Sequence, residues 1–236
     1  MSAADVWIVT LPEDDGSVAR ALSLLTADEQ SRASRFRRDE DRRAYVYSHA
    51  ALRVRLGRER GAPFDDRPFA TGPRGKPFIP GAPHFNLSRA GARAAMGVCA
   101  DGAIGVDIER IARGATSVEV GESRFSAAER AWLDRAEGDE ARRQRYLRLW
   151  VIREALLKAQ GVGLSGELAD GEIAIAGDEP LLRATSEWRI VEAPASVDAC
   201  VRGFIAAAAV PRGCGVTWRC VAWASISGRL TESGCI

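Results

Sequence analysis

Histidine and lysine are nearly absent from this chain of 236 residues. The two histidines, His49 and His84, have no partner at metal-ligand spacing, which excludes a His/Cys zinc site. No apolar run approaches the roughly 20 residues that a bilayer-spanning helix needs, so no membrane partner is expected. The stretch from Met1 to Asp15 carries acids and no basic region, which does not fit a signal peptide. Five cysteines, Cys99, Cys200, Cys214, Cys220 and Cys235, include no CxxC pair, and their odd number argues against a disulfide framework. The reading is a reduced, cytoplasmic protein. A formal net charge of +1 gives no global attraction to nucleic acid, and no aromatic stacking motif accompanies the arginines.

What is present is ordinary globular composition, 46% hydrophobic and 28% charged, enough for one large domain or two small ones. Of 33 basic residues only Lys76 and Lys158 are lysine. In a chain that turns to arginine wherever positive charge suffices, these two mark places that need a compact ammonium rather than a planar guanidinium. Ten arginines against four acids lie between Arg32 and Arg60. They form either a solvated helix face or a landing site for phosphates or an acidic partner.

The sequence repeats itself faintly. Thr26-Ala27-Asp28-Glu29 has the capping-box pattern, and Ser126-Ala127-Ala128-Glu129 has it again one hundred residues later. Each opens a short amphipathic helix, and longer helices are expected over 39–56 and 139–160. Strands are expected near 67–70, 84–87, 92–99 and 103–109, then near 172–176, 187–192, 203–210 and 216–223. Asp101-Gly102 reads as a two-residue hairpin turn between two of them. The tail, Ser227 to Ile236, reads as loosely ordered. The expected fold class is α+β, with two similar α+β halves related by a pseudo-twofold, residues 1–101 and 102–236, and the active site at the seam.

Two motifs carry chemistry. In Gly105-Val106-Asp107-Ile108-Glu109 the period of a strand puts both carboxylates on one face. In Trp150-Val151-Ile152-Arg153-Glu154-Ala155-Leu156-Leu157-Lys158, followed by Gly161 and Gly163, Glu154 and Lys158 lie one helical turn apart. Singly, these motifs read as an edge strand with one wet face and as a surface ion pair. The apolar residues of the second motif mark a largely buried helix whose charges need partners or a ligand. Three carboxylates and an ammonium together suit Mg²⁺ and phosphate, because Mg²⁺ takes oxygen ligands and shares them with substrate phosphates. Upstream, Arg74-Gly75-Lys76-Pro77 and Phe85-Asn86-Leu87-Ser88-Arg89-Ala90-Gly91 suit anion binding, or a loop turn and a strand end.

The order of these four elements, from about Arg35 to Leu164, resembles the 4′-phosphopantetheinyl transferases, in particular the longer, pseudo-dimeric type that activates peptide and polyketide synthases. The resemblance implies transfer of the phosphopantetheine arm of coenzyme A to a serine of an acyl or peptidyl carrier protein, with release of adenosine 3′,5′-bisphosphate, by a monomer. Position by position, it implies Asp107, Glu109 and Glu154 as Mg²⁺ ligands, Glu154 as the base toward the serine, and Lys158 as the cation on the pyrophosphate. Arg43, Lys76, Ser88 and Arg89 match positions that hold coenzyme A. Arg89 replaces the family histidine and Arg153 the family lysine. Arg110, Arg113 and Arg124, just after the first motif, are expected to face an acidic carrier protein. The alternative is a coenzyme A or carrier-protein binding module that has lost turnover.

Overall fold

The computed structural model describes residues 3–111, 122, 124–162, 173–177, 179–182 and 187–232. The chain starts with a strand, β1 (Ala3–Thr10), then α1 (Val18–Leu22), α2 (Ala27–Ala33) and the long α3 (Asp39–Arg58). A short hairpin, β2 (Ala70–Thr71) and β3 (Pro77–Phe78), precedes β4 (His84–Ala90), β5 (Arg93–Cys99) and β6 (Gly105–Arg110). Next come α4 (Ala127–Asp134), α5 (Asp139–Gln160), β7 (Ile173–Ala176), β8 (Glu179–Leu182) and β9 (Trp188–Glu192). The chain closes with α6 (Asp198–Val201), β10 (Phe204–Pro211), β11 (Gly215–Ala222) and α7 (Trp223–Glu232). No helix among the described residues is long and apolar enough to cross a membrane.

Both capping boxes form. Glu29 Oε2 accepts from Thr26 N at 2.9 Å, and Glu129 Oε2 accepts from Ser126 N at 2.6 Å, so a free backbone donor is satisfied at the start of α2 and of α4. Each glutamate is also the partner of an arginine on the following long helix. Arg53 Nε donates to Glu29 Oε2 at 2.5 Å, and Arg153 Nη1 donates to Glu129 Oε1 at 2.9 Å.

Two sheets form the centre, ordered β11-β1-β5-β4 and β6-β10-β9. Within them, β1-β5-β4 and β6-β10-β9 repeat one antiparallel arrangement. Alternation along the strands sorts the side chains. Val6, Ile8, Val106, Ile108 and Ala208 fill one apolar cluster between the sheets. Trp7 and Val9 face α3, and Ala207 and Ala209 face α5. The layers are therefore helix, sheet, sheet, helix. The α5 side chains Leu149, Val151, Ala155 and Leu156 are fully buried. Burial of each large one contributes roughly 1.5–3 kcal/mol.

Four expectations change. Asp101-Gly102 is no hairpin turn: β5 belongs to the first sheet and β6 to the second, so this segment carries the chain between sheets. A type I′ turn needs positive φ at its central residues, and Gly102 is not among the positive-φ glycines. Gly102 is needed for close approach, since a Cβ there would lie 2.7 Å from Pro211 Cγ. The second change is that β11, expected to stay with residues 102–236, runs parallel to β1 in the first sheet. Third, the tail is helical through Glu232. Trp223 anchors it, with its ring 5.2 Å from Tyr47 and its Nε1 donating to Ser17 Oγ at 2.9 Å. Fourth, Cys200 and Cys220 are disulfide-bonded, their Cα atoms 6.1 Å apart. No CxxC spacing announces the pair, because β11 and α6 meet only in the folded chain.

Candidate active site

Asp107 and Glu109 project from β6 on the face that meets α5, since Ala207, opposite Asp107 on β10, packs among the α5 side chains. Strand and helix come into backbone contact there. A Cβ on Gly105 would lie 2.0 Å from Ala155 O and 2.4 Å from Ala159 N, so only glycine lets α5 sit this close. Glu154 and Lys158, one turn apart on α5, then face β6.

Asp107 is buried, 2% exposed, and is the centre of the cluster. Its Oδ1 accepts from Ser88 Oγ at 2.7 Å and from Lys158 Nζ at 2.5 Å, and Lys158 Nζ also reaches Ser88 Oγ at 3.1 Å. The other oxygen, Oδ2, is buried without a hydrogen-bond partner. β4 is held beside β6 by Asn86 Oδ1, which accepts from Val106 N at 2.8 Å. Glu109 accepts from Trp150 of α5. Withdrawal from water pushes the Asp107 and Glu154 carboxyls above the usual carboxylate range, against the pull of Lys158. Burial, with the Asp107 charge added, pushes Glu109 up to about 7. Carboxyls held upward in this way form a site short of positive charge.

A cleft of about 860 Å³ is lined by Arg38, Arg43, Arg89, Arg93, Arg110 and Arg202, with Glu13, Glu40 and Asp41 among them. Arg89 follows Ser88 on β4 and Arg110 follows Glu109 on β6, so the cleft and the carboxylates share two strands, with side chains directed to opposite faces by the alternation. A second hollow of about 670 Å³ shares Phe36 with it and adds Arg32 and Arg35. Tyr45 is the apolar floor for two of these cations, with the Arg89 guanidinium 5.3 Å and that of Arg32 5.8 Å from its ring. Arg43 also reaches Asp15 at 3.6 Å. These arginines converge on a concave surface suited to a phosphorylated ligand.

The structure thus links Ser88, Asp107 and Lys158 directly, with Glu109 and Glu154 close enough to feel the Asp107 charge, and lines a separate cleft with Arg43 and Arg89. Ser88 stands with the carboxylates rather than at the nucleotide end. Lys76 lies apart from the arginines: its Nζ donates to Ile104 O at 3.0 Å and Ala159 O at 3.1 Å. Arg153 is turned to both oxygens of Glu129, at 2.9 and 3.0 Å, rather than to the cluster. Among the described residues no three His, Cys, Asp or Glu side chains are drawn together as a metal cage. The expected ligand trio is not drawn to one point, and Lys158 occupies Asp107 Oδ1. The donor set still fits Mg²⁺: all three groups are carboxylates, and the unpartnered Oδ2 of Asp107 needs a cation or a donor. Arg113, Gly163 and Leu164 lie outside the described residues. Arg38 belongs to the basic stretch from Arg32 to Arg60, whereas Arg93, at the start of β5, and Arg202, just after α6, sit in no motif that marks them as cleft residues.

Residues 103–207 match the family described as the 4′-phosphopantetheinyl transferase superfamily. The 4′-phosphopantetheinyl transferase HetI of Nostoc sp. is 31% identical over 79% of this chain and 81% of its own. A 4′-phosphopantetheinyl transferase of Bacillus subtilis is 27% identical over 80% of this chain and 90% of its own. The transferase Sfp of Bacillus subtilis is 29% identical over 66% of this chain and 72% of its own.

Proposed function

The chain belongs to the 4′-phosphopantetheinyl transferase superfamily, and on that premise we propose how its own residues perform the transfer. Coenzyme A is the donor and a serine of an apo acyl or peptidyl carrier protein the acceptor. The serine oxygen attacks the β-phosphorus of the pyrophosphate. A new P–O bond forms, the anhydride bond breaks, and adenosine 3′,5′-bisphosphate leaves. Such a displacement needs positioning and charge neutralisation more than covalent catalysis.

The observation that carries this reading is Asp107, buried with one oxygen on Lys158 and the other unpartnered, on a strand that also contributes to a cleft where six arginines outnumber three acids. Asp107, Glu109 and Glu154 would hold Mg²⁺, which when bound supplies positive charge to the pyrophosphate oxygens. Lys158 adds a mobile cation next to it. Glu154, held above the ordinary carboxylate range, takes the serine proton directly or through water. Ser88 orients Asp107 through its 2.7 Å hydrogen bond. Arg43 and Arg89 hold the phosphates of the nucleotide end.

The two halves are read as a pseudo-dimer with the site at their seam. The repeated strand order and the Glu29–Arg53 and Glu129–Arg153 pairs one hundred residues apart support this. Because one chain supplies both halves, the enzyme is read as a monomer. The test is incubation of the protein with coenzyme A, Mg²⁺ and a small apo carrier protein. The carrier should gain the mass of one phosphopantetheine. Tight binding of coenzyme A with no mass gain on any of a panel of carriers would instead leave a binding module.

A further inference from the structure

Lys76 sits on the hairpin between β2 and β3, in a turn closed by Gly72 N to Lys76 O at 2.9 Å and Gly75 N to Gly72 O at 3.0 Å. The following Ile79 is buried in the core that includes Phe85 of β4 and Val54 of α3, which fixes the hairpin to the first sheet. From there the side chain crosses to the second. Its ammonium donates to Ile104 O, immediately before β6, and to Ala159 O, in the last turn of α5. Its stem passes Gly161, where a Cβ would lie 3.5 Å from Lys76 Cδ. These two carbonyls belong to the two elements that carry the reacting groups. Ile104 is three residues before Asp107, and Ala159 directly follows Lys158.

We propose that Lys76 is a positioning residue for the transfer, tying the start of β6 to the end of α5 so that Asp107 keeps its register against Lys158 and Glu154. The proposal rests on the transferase reading of the site. Three features support it. The carbonyls of a last helical turn have no partner within the helix and attract a cation. Gly105 brings β6 and α5 into backbone contact at this same point, so a small shift there moves Asp107 directly. A compact ammonium with three donors can serve two converging carbonyls, whereas a planar fork is built for a carboxylate or phosphate. Burial alone depresses the Lys76 ammonium to about 8, in keeping with a partner set of neutral carbonyls.

The experiment compares Lys76→Met, Lys76→Gln and Lys76→Arg with wild type. It measures kcat and KM in the transfer assay, the Kd for coenzyme A by calorimetry without carrier, and the melting temperature. Misplacement of reacting groups by a fraction of an ångström lowers rate while leaving ground-state binding alone. Lys76→Met should therefore lose on the order of 10- to 100-fold in kcat, with the Kd for coenzyme A within about twofold. Lys76→Gln, which keeps one short donor group, should fall between, and Lys76→Arg should recover only part of the loss. A raised Kd for coenzyme A with kcat unchanged would overturn the proposal and make Lys76 a nucleotide contact. A lowered melting temperature with both constants unchanged per folded molecule would make it structural only, and also overturn it. Wild-type protein that transfers nothing would sink the underlying reading and the proposal together; an active wild type matched by all three variants would sink the proposal alone.

Discussion

Residues one hundred positions apart occupy matching places in the two sheets and their covering helices, with very different contents. Asp107, Glu109, Glu154 and Lys158 face one another on β6 and α5. Their counterparts by number on β1 and α3 are Trp7, Val9, Val54 and Arg58. There Trp7 fills the space, with the Arg55 guanidinium stacked 4.3 Å from its ring, and only a cleft of about 30 Å³ remains. The scaffold is shared down to the capping-box glutamate and its arginine. The difference lies in four side chains: Trp7, Val9, Val54 and one cation, Arg58, on one side, and three carboxylates with Lys158 on the other.

The largest effect should come from removing the base. Glu154→Ala is expected to lower turnover by at least about 100-fold, the scale of a positioned acid–base group. Val54→Ala, its counterpart, should cost roughly 1–3 kcal/mol of stability and leave turnover per folded molecule unchanged. Steady-state transfer kinetics beside denaturant unfolding separate the two. If Val54→Ala cut turnover as deeply as Glu154→Ala, the division into a chemical and a structural side would fail.

The arginine pairs sharpen the contrast. Arg53 is wholly buried and also donates to Asp65 O at 2.5 Å and Arg67 O at 3.0 Å, so Arg53→Met strands Glu29 and two carbonyls. It should cost about 3–5 kcal/mol. Arg153 keeps 15% side-chain exposure, and Arg153→Met should cost less stability yet lower kcat, because its neighbour is Glu154. Urea unfolding and kcat for both variants check the ordering. A smaller change is Lys158→Arg, which retains charge but crowds Asp107 and Ser88; activity equal to wild type would reduce Lys158 to a helix-surface cation.

The smallest expected effect is a pH dependence confined to the first half. His49 stacks on Tyr45 with ring centroids 3.9 Å apart, and burial together with the charge of Arg89 pushes its imidazole down to about 3. The unfolded chain takes up this proton near 6.5, so between 6.5 and about 3 it binds more protons than the native state. Stability from this residue is complete above 6.5 and is lost as the pH falls through that window. His49→Gln should show a shallower loss of melting temperature between pH 7 and pH 5. An identical slope would remove His49 from the acid response.

Much of this was legible in the residues. The capping boxes announced α2 and α4, and the apolar stretch around Trp150 announced a buried helix carrying charge. Period-two alternation placed Asp107 and Glu109 on one face. What stayed hidden depended on pairing at long range. β1 was missed although Pro12 and Asp15-Gly16 close the run Val6-Trp7-Ile8-Val9, because an apolar run this short does not by itself separate strand from helix. Alternation says which face a residue takes, not which sheet its strand joins, so β11 and the Asp101-Gly102 segment were misplaced. Ser88 and Lys76 were grouped by motif with the nucleotide end. Only the side-by-side placement of β4 and β6 shows Ser88 on Asp107, and only the approach of α5 to β6 shows where the Lys76 ammonium goes.

Asp107 and Trp7 hold the same place on two matching strands, and one experiment on both is the most direct test. Single-turnover transfer of phosphopantetheine to an apo carrier, with coenzyme A saturating, would be measured for Asp107→Ala and Trp7→Phe alongside their melting temperatures. Asp107→Ala should transfer at least about 100-fold more slowly while melting near wild type, and Trp7→Phe should melt lower yet transfer at the wild-type rate per folded molecule. Near-wild-type transfer by Asp107→Ala in the presence of Mg²⁺ would contradict the assignment of this cluster as the reaction centre.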